Sequence, residues 1–328
     1  MRSFVVPALP FLASLALASG AAFLACSNSN SAATGDGGAT SSDAGDAGDG
    51  EASAPPGSRG TGAVTVTSDL ALTNMPIYSA SALFLPPVGD AGDAPSSNGC
   101  TTTTVEGCVL EACPPRAKDP KAVSAGAIAI SGGTIAAEGI TLTPDDKGLY
   151  ATAGDRKTLW NGGEDITVRG AGAEKGVPAF ESVVKSPVRI VLTEPAITRG
   201  KNITISRNED LVISWGAFSA TVVEGSTAFD GGAVVTPAAL DGEVEVVLVS
   251  QTDTGVATLT CAYPINTGGT HVPRGAIGRL SESTGLIRLS SRQSKTVGAG
   301  TYDVVTKLLS VGILISDGAA AQGGVAFE

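Results

Sequence analysis

Asp241-Gly-Glu-Val-Glu-Val-Val-Leu-Val-Ser250 decides the fold class of this chain. Val244, Val246 and Leu248 fall on one side of an extended backbone, with Glu243 and Glu245 on the other. Period-two alternation of this kind marks a half-buried strand, one face in a core and one in solvent. The same period recurs along the chain. Leu211, Ile213 and Trp215 alternate with Val212 and Ser214. Val188, Ile190 and Leu192 alternate with Arg189, Val191 and Thr193. Ala257, Leu259, Cys261 and Tyr263 alternate with Thr258, Thr260 and Ala262, and Val311, Ile313 and Ile315 repeat the pattern near the end. Shorter runs cover residues 63–67, 79–85, 108–112, 127–130, 140–143, 166–169 and 302–306. Turn formers separate most of them, as in Ser131-Gly-Gly133, Asn161-Gly-Gly163 and Asp230-Gly-Gly232.

Helical periodicity is scarce. One turn is expected at Thr236-Pro237, with Thr as cap and Pro at the first helical position, and another over Pro273 to Leu280. Many short strands punctuated by turns predict an all-β fold. The expected architecture is one large or two tandem antiparallel β-sandwiches, immunoglobulin-like or jelly-roll-like. Residues 61–328 are enough for either arrangement, with a division expected near 195–200. The stretch from Pro86 to Asn98 reads as a long surface loop.

The N-terminus has a different character. Arg2 is followed by an uncharged apolar run from Phe4 to Ala25, ending in Phe23-Leu24-Ala25-Cys26. A positive start, an apolar stretch and small residues before a cut make a secretory signal. No later run is long enough to span a bilayer as a helix. The Ala25-Cys26 junction resembles the lipobox of bacterial lipoproteins, although Phe23 and Leu24 place the bulky residues one position closer to the Cys than that motif does. The resemblance covers the N-terminus alone. It implies a signal peptide over residues 1–25, a diacylglyceryl thioether on Cys26 and an acylated amine. Two or more acyl chains anchor a protein stably where one does not. Ser27, in place of Asp, implies retention at the outer membrane, facing the periplasm or the cell surface.

Residues 26–60 form the expected anchor and tether. Residues 27–57 contain no Val, Ile, Leu, Met, Phe, Trp or Tyr. Such a segment cannot bury enough apolar surface to offset its ordering entropy. Its only charges are Asp36, Asp43, Asp46, Asp49 and Glu51. A linker of this kind has an r.m.s. span of roughly 30 Å and a full reach of about 100 Å. The acidic Gly/Ala repeats lack the ligand register of a calcium loop and read as a solvated spacer.

The net charge of −11 and the absence of a basic run exclude nucleic-acid binding through phosphate neutralisation. No phosphate-cradling loop or dinucleotide fingerprint is present, and no cofactor is expected. Cys100, Cys108, Cys113 and Cys261 form an even set in an exported chain and are expected as disulfides. Strand parity places Cys108 with Leu110 and Ala112, and Cys261 with Leu259, which favours Cys108–Cys261 with Cys100–Cys113. The alternative is Cys100–Cys108 with Cys113–Cys261. The gaps between the cysteines do not match zinc spacings, and His271 is the sole histidine, so no metal site is expected.

Catalytic candidates are sparse. His271 sits in Gly269-Thr-His-Val-Pro273, read as a loop, and no Gly-x-Ser-x-Gly elbow accompanies it. Glu243 and Glu245 share a strand face that reads as solvated, and sequence gives no separation from other acids by which to judge a glycosidase-like pair. No residue is assigned a catalytic role. Sugar rings stack on exposed aromatics, but aromatics make up 4% of the chain. Trp215 shares a strand face with Leu211 and Ile213 and reads as core. Trp160, before Asn161-Gly162-Gly163, is the one candidate ligand contact. The expected function is a non-enzymatic, envelope-anchored lipoprotein with a structural, adhesive or binding role. Its partners are the membrane, through lipid on Cys26, and an envelope or extracellular glycan or protein. The alternatives are a glycan-binding module and, third, a carboxylate-dependent hydrolase.

Overall fold

A computed structural model describes residues 59–70, 76–87, 99–115, 121–135, 139–155, 158–198, 201–218, 234–235, 241–314 and 320–328. The signal, Cys26, the tether, most of the Pro86–Asn98 loop and the turn expected at Thr236-Pro237 lie outside these residues.

The described chain is almost entirely strand. In order these are β1 (Gly60–Leu70), β2 (Pro76–Leu85), β3 (Thr101–Val105), β4 (Cys108–Cys113), β5 (Ile128–Gly132), β6 (Ile140–Leu142) and β7 (Tyr150–Asp155). Next come β8 (Asp165–Gly170), β9 (Phe180–Lys185), β10 (Ile190–Glu194), β11 (Ile203–Ile205), β12 (Leu211–Phe218) and β13 (Val234–Val235). The remainder are β14 (Glu243–Thr252), β15 (Gly255–Pro264), β16 (Gly269–Val272), β17 (Thr284–Ala299), β18 (Tyr302–Val311), β19 (Ile313–Leu314) and β20 (Gln322–Phe327). The helical turn expected after Pro273 is α1 (Arg274–Ile277), with Pro273 as its cap residue.

Three sheets result. The large one runs β3-β4-β15-β14-β17-β18-β1-β2-β7, with β20 also on β17 and β11 on β20. A second sheet runs β13-β12-β10-β19 with β16 on β12, and a third runs β6-β5-β8-β9. Most pairs are antiparallel, but β1–β18, β10–β19 and β11–β20 are parallel. Strands from before and after residues 195–200 mix in the large sheet: β1 lies between β2 and β18.

β17 organises the whole. Its 16 residues carry β14 along one edge. The other edge holds β20 against Thr284–Arg288 and β18 against Ser290–Ala299. Side chains alternate along a strand. Ile287 and Leu289 enter a first core and Ala299 a second, all on odd positions and therefore on one face. The second sheet covers the first core, with Ile190, Leu192, Ile213 and Trp215 against Val246, Leu248 and Leu259. The third sheet covers the second core, with Ile128, Ile130, Ile166 and Val168 against Val64, Val66, Phe84 and Leu308. The result is two sandwiches that share one continuous layer.

Two disulfides staple it. Cys108–Cys261 joins β4 to β15 inside the first core, each residue 1% exposed. Cys100–Cys113 closes the β3–β4 hairpin. The pairing agrees with the parity reading, because Leu110 stands opposite Leu259 and the next inward pair is Cys108 and Cys261.

Candidate functional site

The even positions of β17 point away from both cores and carry Arg288, Ser290 and Arg292. The ladder sets Glu243 opposite Arg292 and Glu245 opposite Ser290. On the other side Arg292 stands opposite Leu309, two residues from Lys307. Three strands thus deliver a cluster of opposite charges to one patch of the sheet.

Its centre is Glu245. The Oε2 atom accepts from Lys307 Nζ at 2.6 Å and from Arg292 Nη1 at 3.1 Å. Arg292 also donates Nε to Glu243 Oε2 at 2.9 Å, and its Nη2 reaches the same oxygen. The planar guanidinium fork suits such a double engagement. The Glu245 side chain is 0% exposed, and those of Arg292 and Lys307 are each 17% exposed. Burial pushes the Glu245 carboxyl up, but Lys307, Arg292 and Arg288 together outweigh it and hold the group below its ordinary value. Burial pushes the Lys307 ammonium down, with Glu245 opposing the shift.

This corrects the solvated face expected for Glu245, while Glu243, with its side chain 44% exposed, stays at the edge of solvent. Residues Val244 to Leu248 are all buried, so β14 is covered on both faces here. The charged ends of Arg292 and Lys307 are what Glu245 faces there. Alternation of Val and Glu cannot distinguish solvent from a layer of cations.

Trp160 is also placed differently from the ligand contact expected of it. It is 2% exposed, belongs to the second core, and donates Nε1 to Ser310 Oγ at 3.0 Å. The loop beyond it is fastened by Glu164, which accepts from the Asn161 and Gly162 amides at 2.8 and 2.7 Å and from Ser186 Oγ at 2.7 Å. Burial acts against ionisation of Glu164, but Ser186 and these amides prevail and lower its pKa. Gly162 is required there: its φ is 112°, and a Cβ would stand 2.9 Å from Val188.

Trp215 is core, as read, with Nε1 on the Ile265 carbonyl at 2.9 Å. His271 stands exposed on β16, a strand and not a loop, opposite Val212. Its carbonyl accepts from Tyr263 Oη at 3.0 Å, while Ser214 Oγ on the same sheet donates to Glu194. The outer face of the third sheet holds an open trough of about 680 Å³ floored by Ala127, Ala129, Ala171 and Ala179. The exposed Arg169–Glu181 pair, 2.7 Å apart, borders it. Among the described residues, the one cluster of metal-ligating type is Cys100, Glu111 and Cys113, two of which are joined as a disulfide.

Chemically, the charge cluster is a clamp. A general acid must hold a proton near neutral pH, and a nucleophilic carboxylate needs a free face. Glu245 is held ionised and enclosed by cations. What the cluster does is tie β14 to β17 and β18, where the shared layer passes from one core to the other. Fold and site together define an all-β protein of two sandwiches fused through one sheet. No protein-family model matches the chain, and neither does any curated protein.

Proposed function

We propose that the chain is a cell-envelope lipoprotein, anchored through lipid on Cys26 at the outer membrane, whose β body has a non-enzymatic structural, adhesive or binding role. The carrying observation is the engagement of Glu243 and Glu245 by Arg292 and Lys307. The best carboxylate pair in the sequence serves to hold strands together, which favours a load-bearing or docking body over a hydrolase. Two disulfides and the shared layer support the same reading, because exported scaffolds gain stability from such staples. The tether would hold this body clear of the membrane. The glycan-binding alternative loses its named residue, since a ring buried as Trp160 is offers no face to a sugar.

The test compares wild type with Cys26→Ser in cells. Wild type should fractionate with the outer membrane and enter the detergent phase, and the variant should become soluble and lose any surface role. A wild-type protein found soluble, or a variant that stays on the membrane, would overturn the anchoring. Pull-downs against peptidoglycan, lipopolysaccharide and secreted polysaccharide, with Trp160→Phe alongside, separate the partner classes. Saturable binding to one of them restores a glycan role, at a site other than Trp160.

A further inference from the structure

We propose that the free edge of β3 docks a second copy of this chain, the two β3 strands pairing antiparallel about a two-fold axis at Thr103. The large sheet ends at β3, and among the described residues no strand pairs with its outer side. Thr101, Thr102, Thr103 and Thr104 are all exposed. A free edge presents amides and carbonyls whose chemistry is matched by another extended strand.

Sheet edges are ordinarily guarded, and the contrast within this molecule is direct. At the edge of the third sheet, Lys295 Nζ donates to the Val183 carbonyl of β9 at 3.2 Å. β6 and β13, which end the smaller sheets, have three and two residues. β7, at the other end of the large sheet, carries Gly154 and Asp155. β3 holds no charge, no Pro and no Gly, and its ladder to β4 runs without a bulge.

The hairpin fixes which groups face outward. Val105 and Cys108 close a two-residue turn with φ of 50° at Glu106 and 84° at Gly107. The pair closing such a turn is hydrogen-bonded, and bonded and non-bonded pairs alternate along the ladder. Thr101, Thr103 and Val105 therefore turn their backbone groups to β4, while Thr102 and Thr104 turn theirs to the free side. A two-fold at Thr103 sets Thr102 opposite Thr104 of the second copy, and each such pair exchanges both bonds. Every central pair is then Thr on Thr, a favourable cross-strand match. This self-complementarity selects a second copy over an unrelated strand. The edge is held firm from behind, because β4 pairs with β15 from Val109 to Cys113 and Val105 packs on the first core.

Size sets the strength. A five-residue strand falls short of the roughly 1,000 Å² that a stable interface buries, so the pairing is weak between free chains. The tether read before Arg59, with its full reach of about 100 Å, lets neighbouring anchored copies meet edge to edge at a raised effective concentration. That gain rests on the anchoring proposed above; the pairing itself does not.

The experiment traps the pairing as a disulfide in the full chain with Cys26→Ser, under mild oxidation over a concentration series. Thr103→Cys stands across from its own copy at a Cα separation of about 4.5 Å, inside disulfide range. Thr101→Cys is also at an exposed position but stands four places from its copy, about 13 Å, outside that range. The expected result is covalent dimer from Thr103→Cys about ten-fold faster than from Thr101→Cys, with the native disulfides unchanged by peptide mapping. Adding Thr102→Pro removes an outward N–H, spares the β4 ladder, and should bring Thr103→Cys down to the Thr101→Cys rate. Equal rates at the two positions, trapping undiminished by Thr102→Pro in a chain with native tryptophan fluorescence, or no dimer up to about 1 mM overturns the pairing. In cells, Thr103→Cys joined to a different envelope protein, with no homodimer, overturns the second copy as occupant. Failed lipidation at Cys26 leaves the trapping in solution unchanged, so the two proposals fail separately.

Discussion

Glu245→Gln isolates the charge clamp. The substitution keeps the shape and removes the charge, leaving Lys307 and Arg292, each 17% exposed, facing a neutral amide. Removing one partner of a buried ion pair costs about 3–5 kcal/mol, because the remaining charges stay desolvated without compensation. Glu243→Gln is the control. Its side chain is 44% exposed and its link to Arg292 is correspondingly screened, so its loss should stay within about 1 kcal/mol. Urea unfolding followed by tryptophan fluorescence suits the measurement, since Trp215 lies in the first core and Trp160 in the second. Both reporters should move together, because the clamp spans β14, β17 and β18, which serve both cores. Lys307→Met in a double-mutant cycle should recover part of the loss, as the orphaned cation is removed. A loss under about 1 kcal/mol for Glu245→Gln, equal to that of Glu243→Gln, would refute the clamp; so would a shift confined to one tryptophan.

Other outcomes follow from the same geometry. Glu245 and Glu164 both have folded-state pKa values below their unfolded values, so their contribution is full above the ordinary carboxylate range and is lost as pH falls through the folded values; Glu245→Gln should flatten the acid limb of a stability–pH profile. Replacing Cys108 and Cys261 by Ser should destabilise by about 5 kcal/mol and replacing Cys100 and Cys113 by about 3, since the closed loops have separations of 153 and 13 residues; thermal melts of the two variants would check the order. Trp160→Ala should cost about 3–5 kcal/mol in chemical denaturation by emptying part of the second core, and a milder Trp160→Phe should leave any polysaccharide binding unchanged.

Period-two alternation made most of the sheet strands legible, and β14 and β15 were the clearest because Val and Leu face one core. β17, the strand that organises the fold, was not legible. Its far face presents Arg288, Ser290 and Arg292, and its second half reads Ser-Lys-Thr, so no apolar alternation runs its length. β3 was hidden for a related reason: Thr101 to Thr104 alternate with nothing, and the strand is exposed at the sheet edge. The interleaving of β1 between β2 and β18 rests on parallel pairing across more than two hundred residues, which local pattern does not encode. Of the site residues, the disulfide pairs were readable because parity survives along an unbulged β4. Glu245 was misread because a charge facing other charges has the same pattern as a charge facing water. Trp160 was misread because the Asn161-Gly162-Gly163 turn signals a loop but not that the ring before it enters the second core while Glu164 ties the turn.

The measurement that bears most directly on the proposed role is intact and peptide mass spectrometry of the protein purified from cell envelopes. A mature chain beginning at Cys26, carrying the mass of a diacylglyceryl thioether and an acylated amine, is the predicted result. A mature chain cut upstream, near Ala22, with Cys26 unmodified would contradict the account and leave a secreted β protein without an anchor.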